Sequence, residues 1–202
     1  MTRQGDLDNG ELASATPGLR GKGVYFVVAL VVLVLDQWTK WLVEAKLEFH
    51  DSVEVIPGFL DFTHVRNTGV AFGMFASHGD RTGTLLLAAL GIAALGFVTY
   101  YFYLVPLRDR ILLSALSLVM GGAVGNLADR LAQGGVTDFI DAYVGTYHWH
   151  TFNVADSAIS VGIGLMILSA FRQPPEASDT EAAGDAGVPD AEPSSDDSSA
   201  RP

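Results

Sequence analysis

The sequence has no cysteine, and few of its residues are charged. Without cysteine, the chain can form no disulfide, no thiolate nucleophile and no thiolate metal site, although this absence leaves the cellular compartment open. The His-Glu-x-x-His pattern of many zinc proteases is absent as well. Charged residues make up 17% of the chain, against 49% hydrophobic residues and a mean hydropathy of +0.30. This composition is typical of a membrane protein.

The net charge of −11 comes mostly from the C-terminal end of the chain. Residues 174–202 hold eight acidic residues and one basic residue, whereas residues 1–22 hold three of each. Both segments are polar and rich in small residues. We therefore expect a disordered N-terminal extension and a disordered acidic tail around a membrane domain over residues 23–173. The chain has no basic patch suited to nucleic acid, so we expect no nucleic-acid partner.

Four long apolar runs lie within this domain, at about residues 23–43, 82–105, 111–128 and 151–171. At about 1.5 Å per residue, each is long enough to cross a hydrocarbon core of roughly 30 Å. A polar segment precedes the first run and no small-residue cleavage site closes it, so we expect this run to be retained. The sequence therefore predicts four transmembrane helices.

The segment between the first and second runs, residues 44–81, has a different pattern. Apolar and polar residues are interleaved there, and Pro57-Gly58 and Asn67-Thr68-Gly69 are turn signals. We expect short strands on the membrane surface, followed by an amphipathic turn over Phe75–Arg81. The predicted fold class is an integral membrane, mainly α-helical protein with four transmembrane helices and a small outward-facing β-sheet between helices 1 and 2.

The basic residues predict how the helices cross the membrane. They flank the runs on one side of a four-span topology: Arg20, Lys22, Arg108, Arg110 and Arg172. The positive-inside rule assigns this side to the cytoplasm. We therefore expect both termini in the cytoplasm, and the strands and the polar helix ends at the outer face.

Two aspartates at the borders of apolar runs are the candidate catalytic residues. Asp138 lies in the loop expected after the third run, and Asp156 lies about five residues inside the fourth, where a carboxylate is costly. Two close carboxylates share one proton, so the charged one can take a proton from water while the neutral one protonates the leaving group. Such a pair titrates as a unit. It predicts hydrolysis by an activated water, with no metal and no other cofactor.

Other polar residues allow a purely structural interpretation. Lys40 and Arg130 lie near helix ends, where long cationic side chains can extend to the interface. Asp36 lies four residues before Lys40, so the two share one helix face. His148 and His150 form the only close histidine pair in the sequence, and without a third partner we interpret them as structural.

Five blocks of the sequence carry a resemblance. They are Asp36-x-x-x-Lys40, Asn67-Thr68-Gly69-x-Ala71-Phe72-Gly73, Gly121-Gly122-Ala123-x-Gly125-Asn126-x-x-Asp129-Arg130, Val136-x-Asp138-Phe139 and Phe152-Asn153-x-Ala155-Asp156. In this order, together with four spans, they resemble the lipoprotein signal peptidase (signal peptidase II) family, the membrane aspartyl proteases of bacteria. The resemblance covers about residues 24–172.

The resemblance implies a role for each matching residue. Asp138 and Asp156 correspond to the catalytic pair. The residues that correspond to supporting or substrate-contacting positions are Asp36, Lys40, Asn67, Gly122, Asn126, Asp129, Arg130 and Asn153. The implied reaction removes the signal peptide from a diacylglyceryl-modified prolipoprotein and cuts just before the lipidated cysteine. The implied setting is the bacterial cytoplasmic membrane, with the site at its outer face. The expected partners are this substrate and membrane lipids, and we expect a monomer.

Two other functions fit parts of the sequence. A transporter or proton conductor would use Asp156, Asp36 and Arg130 as an ion path, but the run over residues 82–105 has no charge and the polar residues collect on one side. Conduction needs polar groups through the depth of the bilayer, so this pattern disfavours it. A non-catalytic factor that binds lipoprotein precursors remains open at this stage.

Overall fold

The computed structural model describes residue 19 and the ranges 21–69 and 81–172. Within these residues the chain forms four long helices: α1 (Gly23–Lys46), α2 (Arg81–Leu104), α3 (Arg110–Gln133) and α4 (Val154–Arg172). All four are long and apolar enough to cross a membrane. The predicted class, a mainly helical protein with four transmembrane helices and a small sheet, is confirmed.

The ends of three helices differ from the ends of their apolar runs. α1 continues past residue 43 to Lys46. α3 continues past Arg130 and ends at Gln133, where Gly134 adopts a left-handed φ of 75° and its N–H caps the carbonyl of Arg130. α4 begins at Val154 rather than near residue 151. Helix ends follow the groups that satisfy the terminal backbone bonds, and hydrophobicity alone does not identify those groups.

Four antiparallel strands form one sheet in the order β1 (Ser52–Ile56), β2 (Leu60–Asn67), β3 (Val136–Val144) and β4 (Tyr147–His148). The first two strands come from the connection between α1 and α2, as expected. The last two come from the connection between α3 and α4, where we expected a loop, and this expectation was wrong. Pairing of β2 with β3 places Asn67 opposite Val136 and Val65 opposite Asp138. The sheet therefore joins two distant parts of the chain beside the helices.

α3 is the most buried of the four helices, because glycines let its neighbours approach closely. A Cβ at Gly121 would lie 2.5 Å from the carbonyl oxygen of Ala29 in α1. A Cβ at Gly122 would lie 2.5 Å from the carbonyl oxygen of Ala155 in α4. These two neighbouring glycines thus pack α3 against α1 on one side and α4 on the other, in the manner of small-residue contacts between membrane helices.

The end of the bundle away from the sheet is closed by Lys22, which we expected to lie in a disordered extension. Its side chain is buried and donates hydrogen bonds to the carbonyls of Phe102 (2.7 Å) and Tyr103 (2.8 Å). A lysine suits this place because the last carbonyls of α2 lack partners within the helix. At the same end, Asp109 caps α3 by accepting a hydrogen bond from the N–H of Leu112.

Several predicted features lie outside the described residues. They include the N-terminal extension over residues 1–18, most of the amphipathic turn (residues 75–80) and the acidic tail over 174–202. Arg81, the last residue of that turn, begins α2.

Candidate active site

Asp138 lies on β3 and is almost completely buried, with 2% of its surface exposed. One carboxylate oxygen accepts a hydrogen bond from the side-chain amide of Asn67 (3.1 Å), and the other accepts one from the amide of Asn153 (2.8 Å). Burial raises the pKa of Asp138 to about 6, and the nearby Asp156 carboxylate also raises it, while the two amide donors act in the opposite direction. The Asp138 carboxyl therefore keeps its proton to a higher pH than an ordinary aspartate does.

Asp156 lies in the first turn of α4, not about five residues inside the span as we expected. The helix starts later than expected because the side chain of Asn153 caps its first turn. The Asn153 side-chain oxygen accepts from the N–H of Asp156 (2.9 Å), and the N–H of Asn153 donates to the Asp156 carboxylate (3.3 Å). This reciprocal capping satisfies two terminal backbone donors. It also leaves Asp156 at the positive end of a helix, where a negative charge is favourable.

Asn153 is thus bonded to both aspartates, since its side-chain amide contacts Asp138 and its backbone contacts Asp156. Both carboxylates line one cleft with a volume of about 610 Å³. The cleft wall combines polar groups with apolar side chains from α2 and α4, including Leu87 and Val161. The structure therefore brings the two predicted aspartates into a single cavity with a partly apolar wall.

Lys40 lies at the centre of a buried ionic cluster next to this cleft. Its ammonium group contacts the carboxylates of Asp36 (2.8 Å) and Asp129 (2.8 Å) and the side-chain oxygen of Asn126 (3.1 Å). These three acceptors match the three protons of an ammonium group. The structural interpretation, in which Lys40 extends to the interface, is wrong, because only 3% of the residue is exposed. The expected shared face of Asp36 and Lys40 is confirmed.

Two hydrogen bonds connect the ionic cluster to the start of α4. Asn126 accepts from Lys40 through its oxygen and donates to Asp156 through its nitrogen (2.7 Å). Asp36, which is fully buried, accepts a hydrogen bond from the N–H of Ala155 (2.9 Å), in the first turn of α4. The ionic cluster therefore fixes both the side chain of Asp156 and the backbone beside it.

The remaining predicted residues lie at the edges of this arrangement. Arg130 lines the cleft and donates to the carbonyl of Asn126 (3.2 Å). Asn67 also lines the cleft, and Gly122 lies under the start of α4 against Ala155. All ten predicted site residues thus belong to one connected region around the cleft.

Two residues that the sequence analysis did not single out belong to the same region. Gln37 donates to Asp129 (2.9 Å) and to Asp36 (3.2 Å), and Thr137 is fully buried beside Asp138. Both are flanked by residues of the sequence blocks. A polar side chain directly beside a candidate residue was the sequence feature that could have identified each of them.

The two histidines differ in their surroundings. His148 lies within 2.9 Å of the Asp141 carboxylate and stacks on Tyr143, which agrees with the structural interpretation. His150 lines the cleft and its Nδ1 lies 3.1 Å from the carbonyl of Thr151. Over residues 21–69 and 81–172, no group of three or more metal-binding side chains converges on a possible metal site.

Comparison with known proteins gives consistent matches over the helical domain. The family described as "Signal peptidase (SPase) II" matches residues 28–172. The lipoprotein signal peptidase of Solibacter usitatus is 45% identical over 156 residues, which cover 77% of this chain and 94% of that protein. The lipoprotein signal peptidase of Symbiobacterium thermophilum is 44% identical over 142 residues, covering 70% and 90% of the two chains.

Solved structures share the fold. One is described as "Bacterial membrane enzyme structure by the in meso method at 2.3 A resolution", with a TM-score of 0.64 and 32% identity, and it aligns over 79% of this chain and 94% of its own. A second bacterial membrane enzyme, at 1.9 Å resolution, has a TM-score of 0.63 and 33% identity, over 75% and 95% of the chains.

Proposed function

Because this chain belongs to the signal peptidase II family of membrane proteases, we propose that it removes the signal peptide from diacylglyceryl-modified prolipoproteins and cuts just before the lipidated cysteine. The observation that carries this proposal is the cleft in which Asp138 and Asp156 are both bonded to Asn153. A protease of this type needs two carboxylates around one water and a wall that accepts lipid. The two aspartates and the partly apolar wall of the cleft support this proposal.

Asp138 and Asp156 act as the acid and base of the reaction. The start of α4 and the side-chain amide of Asn126 both direct partial positive charge at Asp156, which supports its role as the base. Burial raises the pKa of Asp138 to about 6, which supports its role as the partner that holds the shared proton. A substrate that fills the cleft removes more water from Asp138 and favours the protonated form further.

Hydrolysis then follows the general course of aspartic catalysis. Asp156 takes a proton from water as the water oxygen attacks the carbonyl carbon that precedes the cysteine. Asp138 donates a hydrogen bond to the carbonyl oxygen as it becomes negative. The carbon–nitrogen bond breaks when the leaving nitrogen receives a proton from the pair. The products are a signal peptide with a free carboxylate and a lipidated cysteine with a free amino group.

The surrounding residues hold this pair in place. Asn126 and Asn153 orient the carboxylates, and the ionic cluster around Lys40 holds Asn126. Arg130 and Asn67 lie on the cleft wall, where they can contact the peptide backbone of the substrate. Leu87 and Val161 also line the cleft, where they can make apolar contacts with the lipid and the signal peptide of the substrate.

The setting of the reaction follows from the ends of the bundle. The sheet and both aspartates lie at the end opposite Lys22 and the connection between α2 and α3. The basic residues at that second end support a cytoplasmic location for it, by the positive-inside rule. The site then lies at the outer face of the membrane, where the acyl chains of the substrate reside. We propose a monomer with both termini in the cytoplasm.

The decisive experiment uses the purified protein in detergent or lipid and a diacylglyceryl-modified precursor peptide. Asp138→Asn and Asp156→Asn should each lower cleavage by about 10²–10⁴-fold or more. Asp141→Asn, on the same strand but paired with exposed His148, is the matched control and should cleave normally. Near-normal turnover in either of the first two variants would refute the catalytic pair. Binding of the precursor without cleavage by the wild-type protein would support a precursor-binding factor instead.

A further inference from the structure

The separation of the two catalytic aspartates depends on contacts between the sheet and the helices. Asp138 belongs to β3, and Asp156 belongs to α4. The chain between these two residues is too long to fix the distance between their side chains. A contact that holds β3 against the helices therefore controls the geometry of the pair.

Thr137 makes such contacts from the position directly before Asp138. Its hydroxyl group donates to the carboxylate of Glu44 in α1 at 2.6 Å, and its carbonyl accepts from the side chain of Asn153 at 3.4 Å. Its N–H donates to Asp129 of α3 at 3.4 Å. The bond to Glu44 is the shortest of the three, and its length is typical of a hydroxyl bonded to a charged carboxylate.

Glu44 also connects to the neighbouring strand. Arg66 of β2 lies opposite Thr137 in the sheet, and its guanidinium lies 3.8 Å from the Glu44 carboxylate. Arg66 also donates to the side chain of Gln133 at the end of α3. The ion pair is partly exposed and therefore weak, whereas the Thr137 hydroxyl is fully buried. The hydroxyl bond thus holds the strand more firmly than the ion pair does.

We infer that the Glu44–Thr137 hydrogen bond is a positioning contact, which holds β3 against α1 and thereby sets the distance between Asp138 and the reacting groups of α4. Neither residue lines the cleft, so both act on the reaction through the placement of Asp138 and of the groups that Thr137 contacts. This inference rests on the proposed function. It adds two residues that determine the rate without touching the substrate.

The test compares single-residue variants by kcat and KM in cleavage of the lipid-modified precursor peptide. Thr137→Val should lower kcat by about 10–100-fold and leave KM close to wild type, because a displacement near 1 Å in the reacting groups costs about this much. Thr137→Ser should keep kcat close to wild type, since serine retains the hydroxyl donor. Thr63→Val is the matched control, because the Thr63 hydroxyl lies in the same sheet and donates to the carbonyl of Asp51 (3.2 Å).

Variants of Glu44 test the same bond from its other side. Glu44→Ala should reproduce the loss of kcat, and it is expected to fold because the side chain is 28% exposed. Glu44→Gln keeps an oxygen acceptor and should retain most of the activity. Combining Glu44→Ala with Thr137→Val should cause no further loss, since both changes remove one bond.

Three results would overturn the inference: wild-type kcat in both Thr137→Val and Glu44→Ala, an effect on KM alone, or an equal loss in Thr63→Val. These results differ from a failure of the proposed function. If the wild-type protein cleaves and Asp138→Asn does not, the catalytic pair stands whatever Thr137→Val does. If the wild-type protein does not cleave the precursor, the proposed function itself fails.

Discussion

Replacing Asp138 with asparagine should change the stability of the protein in a way that depends on pH. The buried carboxyl has a pKa of about 6 in the folded chain, against an ordinary value of 3.8. Between these values the folded state binds more protons than the unfolded state, so the wild-type protein loses stability as pH rises through this window. Its contribution is fully present below about pH 3.8 and lost above about pH 6.

The size of this effect follows from the same pKa. Between pH 4 and pH 7, the wild-type protein should lose about 2–3 kcal/mol of unfolding free energy through Asp138 alone. Asparagine does not titrate and loses none of it. Its NH₂ group faces a donor from Asn67 or Asn153, which costs about 1–3 kcal/mol at every pH. This constant cost cancels when the two pH values are compared.

Thermal unfolding in detergent measures the prediction. At about 2–4 °C per kcal/mol, the difference in Tm between Asp138→Asn and wild type should move by about 5–10 °C in favour of the variant from pH 4 to pH 7. Glu54→Gln removes an exposed carboxylate from the same sheet and should show no such movement. A Tm difference between Asp138→Asn and wild type that is equal at both pH values would refute the raised pKa of the buried Asp138 carboxyl.

Three further predictions concern activity, packing and the tail. In the free enzyme kcat/KM should fall as pH rises above about 6, because Asp138 then loses the shared proton, and a rate that rises steadily to pH 8 would contradict this. Gly125→Ala should cost about 1–3 kcal/mol of stability, since a Cβ there meets the Asp36 carboxylate, whereas Gly164→Ala meets open space and should not destabilise; equal Tm values would count against the packing argument. Removal of residues 174–202 should leave kcat unchanged in the precursor assay, and a large fall would give the acidic tail a role.

The sequence was sufficient to predict the helices, because each contains a long, predominantly apolar run. It was less informative at their ends. The start of α4 depends on Asn153, whose capping contacts with Asp156 were not considered when the helix was predicted from residue 151. Shifting this start moves Asp156 from the interior of the span to its first turn.

The sheet shows a second limit of sequence reasoning. The segment Val136–Val144 is rich in β-branched and aromatic residues, which favour a strand, but its two aspartates resemble a polar loop. Its partner, β2, lies about seventy residues earlier in the chain, so local patterns do not indicate the pairing. Gln37 was missed for a related reason, since its contact with Asp129 depends on how α1 packs on α3.

The buried hydrogen bond from the N–H of Ala155 to the carboxylate of Asp36 connects α4 to α1. Synthesis proceeds from the N-terminus, and of the ten predicted site residues only Asp138, Asn153 and Asp156 follow the third helix in the chain. On the proposed function, the nascent protein has no complete catalytic pair until the fourth span is made, so proteolytic competence arrives late in translation.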